Sequence, residues 1–437
     1  MANKRRYFIY ILLFIFLSIY ALDRVTMAVA GSTIAKEMGL GPIALGYLFS
    51  SSLWFYALAL LPAGTVTDRF GARRMSAIAA GFWSLSQMLA GVTSSFAALL
   101  VTRLGLGGFE SAANPCAHSA IREWTPRGER GLATAVSYAG TTAGPALGSP
   151  LVAWLITRFG WRSAFVVTGL LGFIWAAVWL LFYRAPEKAG WLTEVERKKV
   201  LDERDITSPV AAGVPSVGYR GLLLTTPTLW GLALTQGCLN YTNYFFLAWL
   251  PGFLQAAYGL TVLQAGAYTA LPFVLSTVFS IVLSYLNDRM LSARALYEGK
   301  RRHAVAVGSL VSALILSTTY VGSISIAMVV LTVSLSFNSF AQSMNFALVN
   351  DRLRSEGDVG RAYAFVTLGG ISFGILGPIV TGYLVSFTGD FKVALVLCGA
   401  LAVLGAVLTL TTTRRAMGED VAEQGQDSAT APLKARP

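Results

Sequence analysis

Twelve apolar runs organise this chain. They fall near residues 7–30, 43–66, 75–95, 96–121, 131–156, 164–183, 228–252, 263–286, 304–321, 325–349, 362–387 and 392–413. A run of ~20 apolar residues crosses the hydrocarbon layer as a helix. Lipid offers backbone N–H and C=O groups no partner, so a chain built this way satisfies them within helices. The runs come as six, a polar stretch, and six more. The expected fold is therefore all-α and integral to the membrane, with 12 transmembrane helices in two pseudo-symmetric halves. The halves are expected at 1–183 and 228–413, with a linker at 184–227 and a disordered tail at 414–437. Residues are 55% hydrophobic and 13% charged, against about 25% charged in ordinary soluble domains. A soluble enzyme, a disordered chain and a secreted disulfide scaffold are all disfavoured. The first run follows Lys4, Arg5 and Arg6 without a small-residue cleavage pattern, so it reads as a span and not a signal peptide.

Charge sets the orientation. With the N-terminus in the cytoplasm, 28 of the 34 Lys and Arg residues fall on that side and four outside, two lying within spans. This asymmetry predicts that both termini are cytoplasmic. The net charge of +12 is spread between spans, which suits an anionic membrane surface and not nucleic acid. Cys116, Cys238 and Cys398 sit far apart in apolar runs and read as small core residues. In the linker, Thr193 and Glu196 have capping-box spacing, which predicts a short helix to about Asp205. Thr207–Gly221 reads as loop.

The chain also repeats itself. A shift of 220 brings Gly46, Asp68 and Arg69 onto Gly266, Asp288 and Arg289; a shift of 230 brings Gly140, Gly144 and Gly169 onto Gly370, Gly374 and Gly399. Two parallel six-span halves around a central site are one solution found in secondary transporters.

Four charges lie inside spans: Asp23 and Arg24 in span 1, Arg103 and Glu110 in span 4. Each costs roughly 2.5–3.5 kcal/mol near mid-bilayer, so such residues face a cavity or a partner. Asp23 and Arg103 both lie ~10 Å below the outer ends of their spans at 1.5 Å rise per residue, a depth that lets them pair if the helices adjoin. Arg103 and Glu110 are seven apart and share a face. Two carboxylates and two permanent cations suit proton-coupled anion transport. An anion that takes an Arg from its carboxylate makes that carboxylate easier to protonate, and the linkage is reciprocal. The second half offers neutral groups instead: Gln236, Asn240, Tyr241, Asn243 and Tyr244 on span 7, Tyr268 on span 8, and Asn338, Gln342 and Asn345 on span 10. Of these, Asn240, Tyr241, Asn243, Tyr244, Gln342 and Asn345, with Thr141 on span 5, are the candidate substrate contacts. His118, near the inner end of span 4, reads as a satisfied interfacial histidine.

After span 2 the chain reads Gly64-Thr-Val-Thr-Asp68-Arg69-Phe70-Gly71-Ala72-Arg73-Arg74. This resembles the signature loop of the major facilitator superfamily, with a degenerate copy at Ser284-Tyr-Leu-Asn-Asp288-Arg289. The resemblance implies that Gly64, Asp68, Arg69, Gly71, Arg73, Asp288 and Arg289 form gates that latch the halves together on the inside. Span 5 carries Gly140-Thr-Thr-Ala-Gly144-Pro145-Ala-Leu-Gly148. Glycines four apart allow close helix packing, and Pro145 can bend the helix. That pattern also resembles a motif associated with antiporters of the superfamily.

Further stretches narrow the resemblance: Leu22-Asp23-Arg24-Val25 with Ala28-Val29-Ala30, Trp54-Phe55-Tyr56, Arg103-x-x-x-Gly107-x-x-Glu110, Trp191-Leu192-Thr193 with Glu196, and Phe246-Leu247-Ala248-Trp249-Leu250-Pro251. Together they are similar to the anion:cation symporter family. That family includes bacterial proton-coupled importers of sugar acids and other carboxylates. The resemblance implies that Asp23 and Glu110 are proton sites, that Arg24 binds the substrate carboxylate, that Arg103 couples to Asp23 or Glu110, and that Tyr56 lines the site. Thr141 and Val366 stand where many sugar-acid carriers have amides, which leaves room for a less hydroxylated or aromatic carboxylate.

The expectation is a proton-coupled importer of a small organic anion, such as a sugar acid or other carboxylate, in a bacterial inner membrane and functional as a monomer. No cofactor, metal or nucleic acid is expected. Walker and H-E-x-x-H patterns are absent from the sequence, so neither ATP drive nor an enzyme is expected. Import against proton-driven export, and protons against sodium, stay open at this point.

Overall fold

The computed structural model describes residues 5–126, 129–204, 226–353 and 358–417. The predicted loop Thr207–Gly221 and residues 418–437 of the predicted disordered tail lie outside these residues. The start of that tail, 414–417, is instead ordered, because Met417 is buried in the second-half core and its N–H donates to the Arg352 carbonyl at 2.7 Å.

Span 1 is Tyr7–Met38. Spans 2 and 3 are two legs of one helix, Pro42–Ala90, bent at Gly71. Span 4 is Phe96–Glu110 followed by Ala113–Trp124. Spans 5 and 6 are Arg130–Phe159 and Trp161–Phe182. In the second half, span 7 is Pro227–Tyr258 and span 8 is Val262–Met290. Span 9 is Arg301–Ser312, continued by a 3-10 helix, Ala313–Tyr320. Spans 10, 11 and 12 are Ile324–Arg352, Val359–Thr388 and Lys392–Thr412. The linker helix is Glu194–Glu203, with the Thr193 hydroxyl accepting from the Glu196 N–H as its cap.

Three differences from the sequence expectation have physical causes. Span 1 runs eight residues past Ala30, because Ser32, Thr33 and Lys36 continue a helix that leaves the apolar layer before it ends. The turn between spans 2 and 3 is a single residue, since Gly71 takes φ 76 and ψ 155, a conformation an L side chain resists. Span 4 is not one helix; it breaks at Ser111–Ala112, directly after Glu110. By length and composition alone, eight helices among the described residues qualify as spans. Spans 3, 4, 5 and 7 fall outside that set, and three of these (4, 5 and 7) carry site residues.

The repeat seen in the sequence reappears as matched packing. Span 5 presses Gly140 and Gly144 against Phe14, Ser18 and Ala21 of span 1; span 11 presses Gly370 and Gly374 against Asn240 and Tyr244 of span 7. Gly169 meets Ser84 and Met88 of span 3 as Gly399 meets Ala313 and Leu316 of span 9. The halves also meet symmetrically. Gly46 of span 2 lies against Pro378 of span 11, and Gly266 of span 8 against Ser149 and Ala153 of span 5. Both meeting points lie toward the face opposite the termini. There one apolar cluster draws on both halves, with Val29, Leu45 and Val152 beside Phe246, Trp249 and Phe253. Toward the face that carries the termini, the core divides into a first-half cluster joined by Ile371 and a second-half cluster. The three cysteines are free and buried.

On the terminal face, Arg6 is buried and donates to Glu129 at 2.7 and 2.8 Å and to Glu196 at 3.5 Å. This ties the start of span 1 to the start of span 5 and to the linker helix. Burial opposes the Glu129 charge, but hydrogen bonds from Arg6 and Lys199 prevail and hold its carboxyl below the ordinary range.

Candidate functional site

Span 1 places Arg24 at the centre, between the halves. Its Nε and Nη2 lie 3.1 Å from Glu110 Oε2. Its Nη1 donates to the Tyr244 hydroxyl at 3.2 Å, across the interface between halves. The guanidinium also lies over the rings of Tyr20 and Tyr56, 4.4 and 5.2 Å from their centroids. Arg24 thus joins four spans through its planar fork and its cation–π faces. Glu110 is fully buried. Its second oxygen, Oε1, accepts no hydrogen bond among the described residues.

The depth of Glu110 depends on an unusually close helix contact. Gly107, one turn earlier, sits where a Cβ would come 1.7 Å from the Ser52 carbonyl oxygen of span 2. Neither backbone can yield without moving Tyr56 or Glu110. Gly107→Ala is therefore expected to destabilise the protein by about 1–3 kcal/mol and to lower its unfolding temperature in detergent. Gly108→Ala is the control, because its Cβ would meet Phe55 at an ordinary 3.8 Å. Equal melting of the two variants would refute this account.

Asp23 and Arg103 do not form the ion pair that their depth suggested. Neighbouring helix positions point about 100° apart, so a span that aims Arg24 at the centre turns Asp23 into the first half. Asp23 is fully buried, and neither of its carboxylate oxygens accepts a hydrogen bond among the described residues. Arg103 Nη1 donates to Gln87 Oε1 at 3.2 Å and reaches only the backbone carbonyl of Asp23, at 3.5 Å. Gln87 of span 3 takes the place expected for the carboxylate, and its Nε2 donates to Thr168 at 3.0 Å.

A cavity of about 190 Å³ opens beside Arg24. Tyr20, Thr141, Thr142, Asn243, Tyr244, Phe273, Ser276 and Ser339 stand among its walls. Arg24, Thr141, Asn243 and Tyr244 of the expected substrate contacts are therefore brought together, with Tyr56 against the guanidinium. The others are placed apart from this wall. Tyr241 is buried in the shared core, its hydroxyl 3.5 Å from Thr381. Asn345 donates to the Leu232 carbonyl and to Gln236, both at 3.0 Å. Gln342 accepts from Gln236 and donates to Asn338. Asn240 is half-buried against Gly370. Val366 is buried in the second-half core, so its missing amide takes nothing from the cavity. Sequence reading missed Tyr20, Ser276 and Ser339. Tyr20 had a signal, since it lies one turn before Arg24; the serines look like any small residues on an apolar helix.

The expected gate residues engage their own halves. Arg73 donates to the carbonyls of Tyr183 and Leu180, both at 2.7 Å, at the end of span 6. Asp288 pairs with Arg301 at 2.5 Å, and Arg301 with Asp351 at 2.8 Å. Arg69 and Arg289 lie over Phe70 and Tyr285. Asp68 is exposed. Among the described residues, no hydrogen bond or ion pair from Gly64, Asp68, Arg69, Gly71, Arg73, Asp288 or Arg289 crosses between the halves.

Comparison with known proteins agrees with this architecture. A family model described as Major Facilitator Superfamily matches residues 12–297 and 298–436. The chain is 30% identical over 412 residues to a protein of Bacillus subtilis named probable galactarate/D-glucarate transporter, covering 91% of this chain and 90% of that one. It is 31% identical over 413 residues to a probable L-galactonate transporter of Escherichia coli, covering 94% and 89%. A chloroplastic ascorbate transporter of Arabidopsis thaliana is 28% identical over 405 residues, covering 90% and 73%. Among solved structures, a bacterial homolog of the human lysosomal transporter Spinster, in an inward-facing and occupied conformation, has a TM-score of 0.74 at 17% identity, covering 95% of this chain and 98% of that one.

Proposed function

This chain belongs to the Major Facilitator Superfamily, and on that footing we propose that it is a proton-coupled importer of a small organic acid. The observation that carries the proposal is the Arg24–Glu110 pair at the wall of the central cavity. A substrate carboxylate recognises the guanidinium fork as Glu110 does. When it takes that fork, Glu110 is left in an apolar interior without a cation, and a proton neutralises it. Asp23, whose oxygens have no donor among the described residues, is the second proton site. Arg103, on Gln87, sets the field between the two. Binding of anion and proton then favour each other, and the loaded carrier rocks toward the terminal face.

The remaining wall suits a hydroxylated acid. The Thr141, Thr142 and Ser276 hydroxyls donate to carbonyls of their own helices, which leaves their lone pairs turned to accept from substrate hydroxyls. The names of the relatives, galactarate, glucarate and galactonate transporters, support a sugar acid over an aromatic one. The 28-to-4 split of basic residues supports a cytoplasmic terminal face, and the bacterial relatives support the plasma membrane. The span 5 glycines that suggested an antiporter are accounted for by close packing on span 1, and they favour neither direction.

The test uses liposomes with a trapped pH dye and no imposed gradient. Adding sugar acids and other carboxylates outside is expected to acidify the interior, and Asp23→Asn is expected to abolish the signal. Alkalinisation on substrate addition would establish exchange against protons and replace import with export. A signal unchanged in Asp23→Asn would remove that residue from the coupling path.

A further inference from the structure

A second polar cavity, of about 380 Å³, lies on the terminal face of the first half, away from the central site. Arg73 and Arg74 reach it from the Gly71 bend, Arg184 and Lys188 from the segment after span 6, against one carboxylate, Glu123. Glu123 is already engaged, accepting from the Tyr183 hydroxyl at 2.5 Å. Arg73 uses Nε and Nη2 on backbone carbonyls and keeps Nη1 free. The side chains of Arg74, Arg184 and Lys188 make no hydrogen bond or ion pair among the described residues. Four cations are thus gathered around a space whose wall carries one carboxylate, already occupied; Glu187, next to Lys188, is paired with Arg204.

The rim has a second character. Phe70 is on the wall and is 51% exposed, and at the adjacent end of span 6 Leu181 and Phe182 are 69% and 45% exposed. Phe70 directly precedes the Gly71 bend, and Leu181 and Phe182 are the last residues of span 6. A free anion would gain nothing from them. A molecule with a phosphate and an acyl chain would use both, with the phosphate among the cations and the chain along Phe70 and span 6. Clustered basic residues beside the end of a span are the feature that anionic headgroups seek.

We propose that this cavity is a binding site for the phosphate headgroup of an anionic phospholipid. The site is separate from substrate recognition, since none of its residues lines the central cavity.

The test titrates purified full-length protein, in uncharged detergent at low salt, with short-chain phosphatidylglycerol. Binding is read by native mass spectrometry and by thermal shift. The triple variant Arg74→Gln, Arg184→Gln, Lys188→Gln is compared with one of equal charge loss on the opposite face, Lys36→Gln, Arg158→Gln, Lys392→Gln. Each cation near a membrane surface is worth roughly a fivefold change in affinity, so the first variant is expected to bind about a hundredfold more weakly. The second is expected to bind as the parent does. Phosphatidylcholine and glycerol phosphate are expected to bind at least tenfold more weakly than phosphatidylglycerol. Equal loss in both triple variants would overturn the proposal in favour of a general charge effect. Glycerol phosphate binding as tightly as the lipid would overturn the lipid assignment. Because both variants keep the central site, unchanged substrate binding verifies that they are folded.

Discussion

Arg24→Ala is expected to bind organic acids about 100- to 1,000-fold more weakly than the parent. The affinity comes from the guanidinium fork. A carboxylate in the cavity would accept two charge-assisted hydrogen bonds from Arg24, each worth roughly 1.5–3 kcal/mol. Among the described residues no other cation lines the central cavity, and Arg103 is held on Gln87. The substitution also strands Glu110 without its partner, and breaking a buried ion pair costs about 3–5 kcal/mol. Arg24→Lys keeps the charge but loses the planar fork and the stacking on Tyr20 and Tyr56, so it is expected to recover only part of the affinity. Titration calorimetry or substrate-induced tryptophan fluorescence reads the outcome. Affinity within fivefold of the parent in Arg24→Ala would end the anchor role.

Glu110→Gln is expected to separate binding from drive. Glutamine keeps the shape and can accept from Arg24, but it carries no proton to exchange. Exchange of labelled for unlabelled substrate across the membrane should continue. Accumulation under a pH gradient should fall from about tenfold per pH unit for each proton carried to none. The pH dependence of binding has a sign as well. On the proposed coupling the parent takes a proton with its substrate, so its affinity should rise as pH falls through the range where Glu110 titrates in the complex. In Glu110→Gln that slope should flatten. A variant that still concentrates substrate would show that another group carries the proton.

The helices and the charged residues were legible because the bilayer enforces a simple code. A run of apolar residues is a span, and a charge inside one is an exception that asks for a partner. Legibility ended where helical phase and neighbour identity began. Depth along the axis suggested that Arg103 meets Asp23, and depth was the only coordinate the sequence supplied. Rotation about the axis decided otherwise, turning Asp23 into the first half and leaving Arg103 to Gln87, a residue whose amide looked ordinary on span 3. Tyr244 was visible as a polar aromatic on span 7, yet nothing local said that its hydroxyl would reach Arg24 from the other half. Gly107 was seen only as one letter of a motif. The 1.7 Å approach that explains it needs span 2 in place. Where the repeat was strong, the sequence did reach tertiary structure: the glycines at 144 and 374 pack in matched positions on spans 1 and 7.

The Arg24–Glu110 pair also bears on how often such a carrier would slip. The pair sets one cation against one anion, and on the proposed coupling the fully loaded protein would set a bound carboxylate against Arg24 beside a neutral Glu110. Both are electrically closed. With substrate alone, Glu110 is stranded; with a proton alone, Arg24 is. At about 3–5 kcal/mol for a stranded partner, each half-loaded form is populated at roughly one part in a hundred to one part in several thousand. Tight stoichiometry then follows from the scarcity of the half-loaded forms, and no separate lock is needed to forbid their passage.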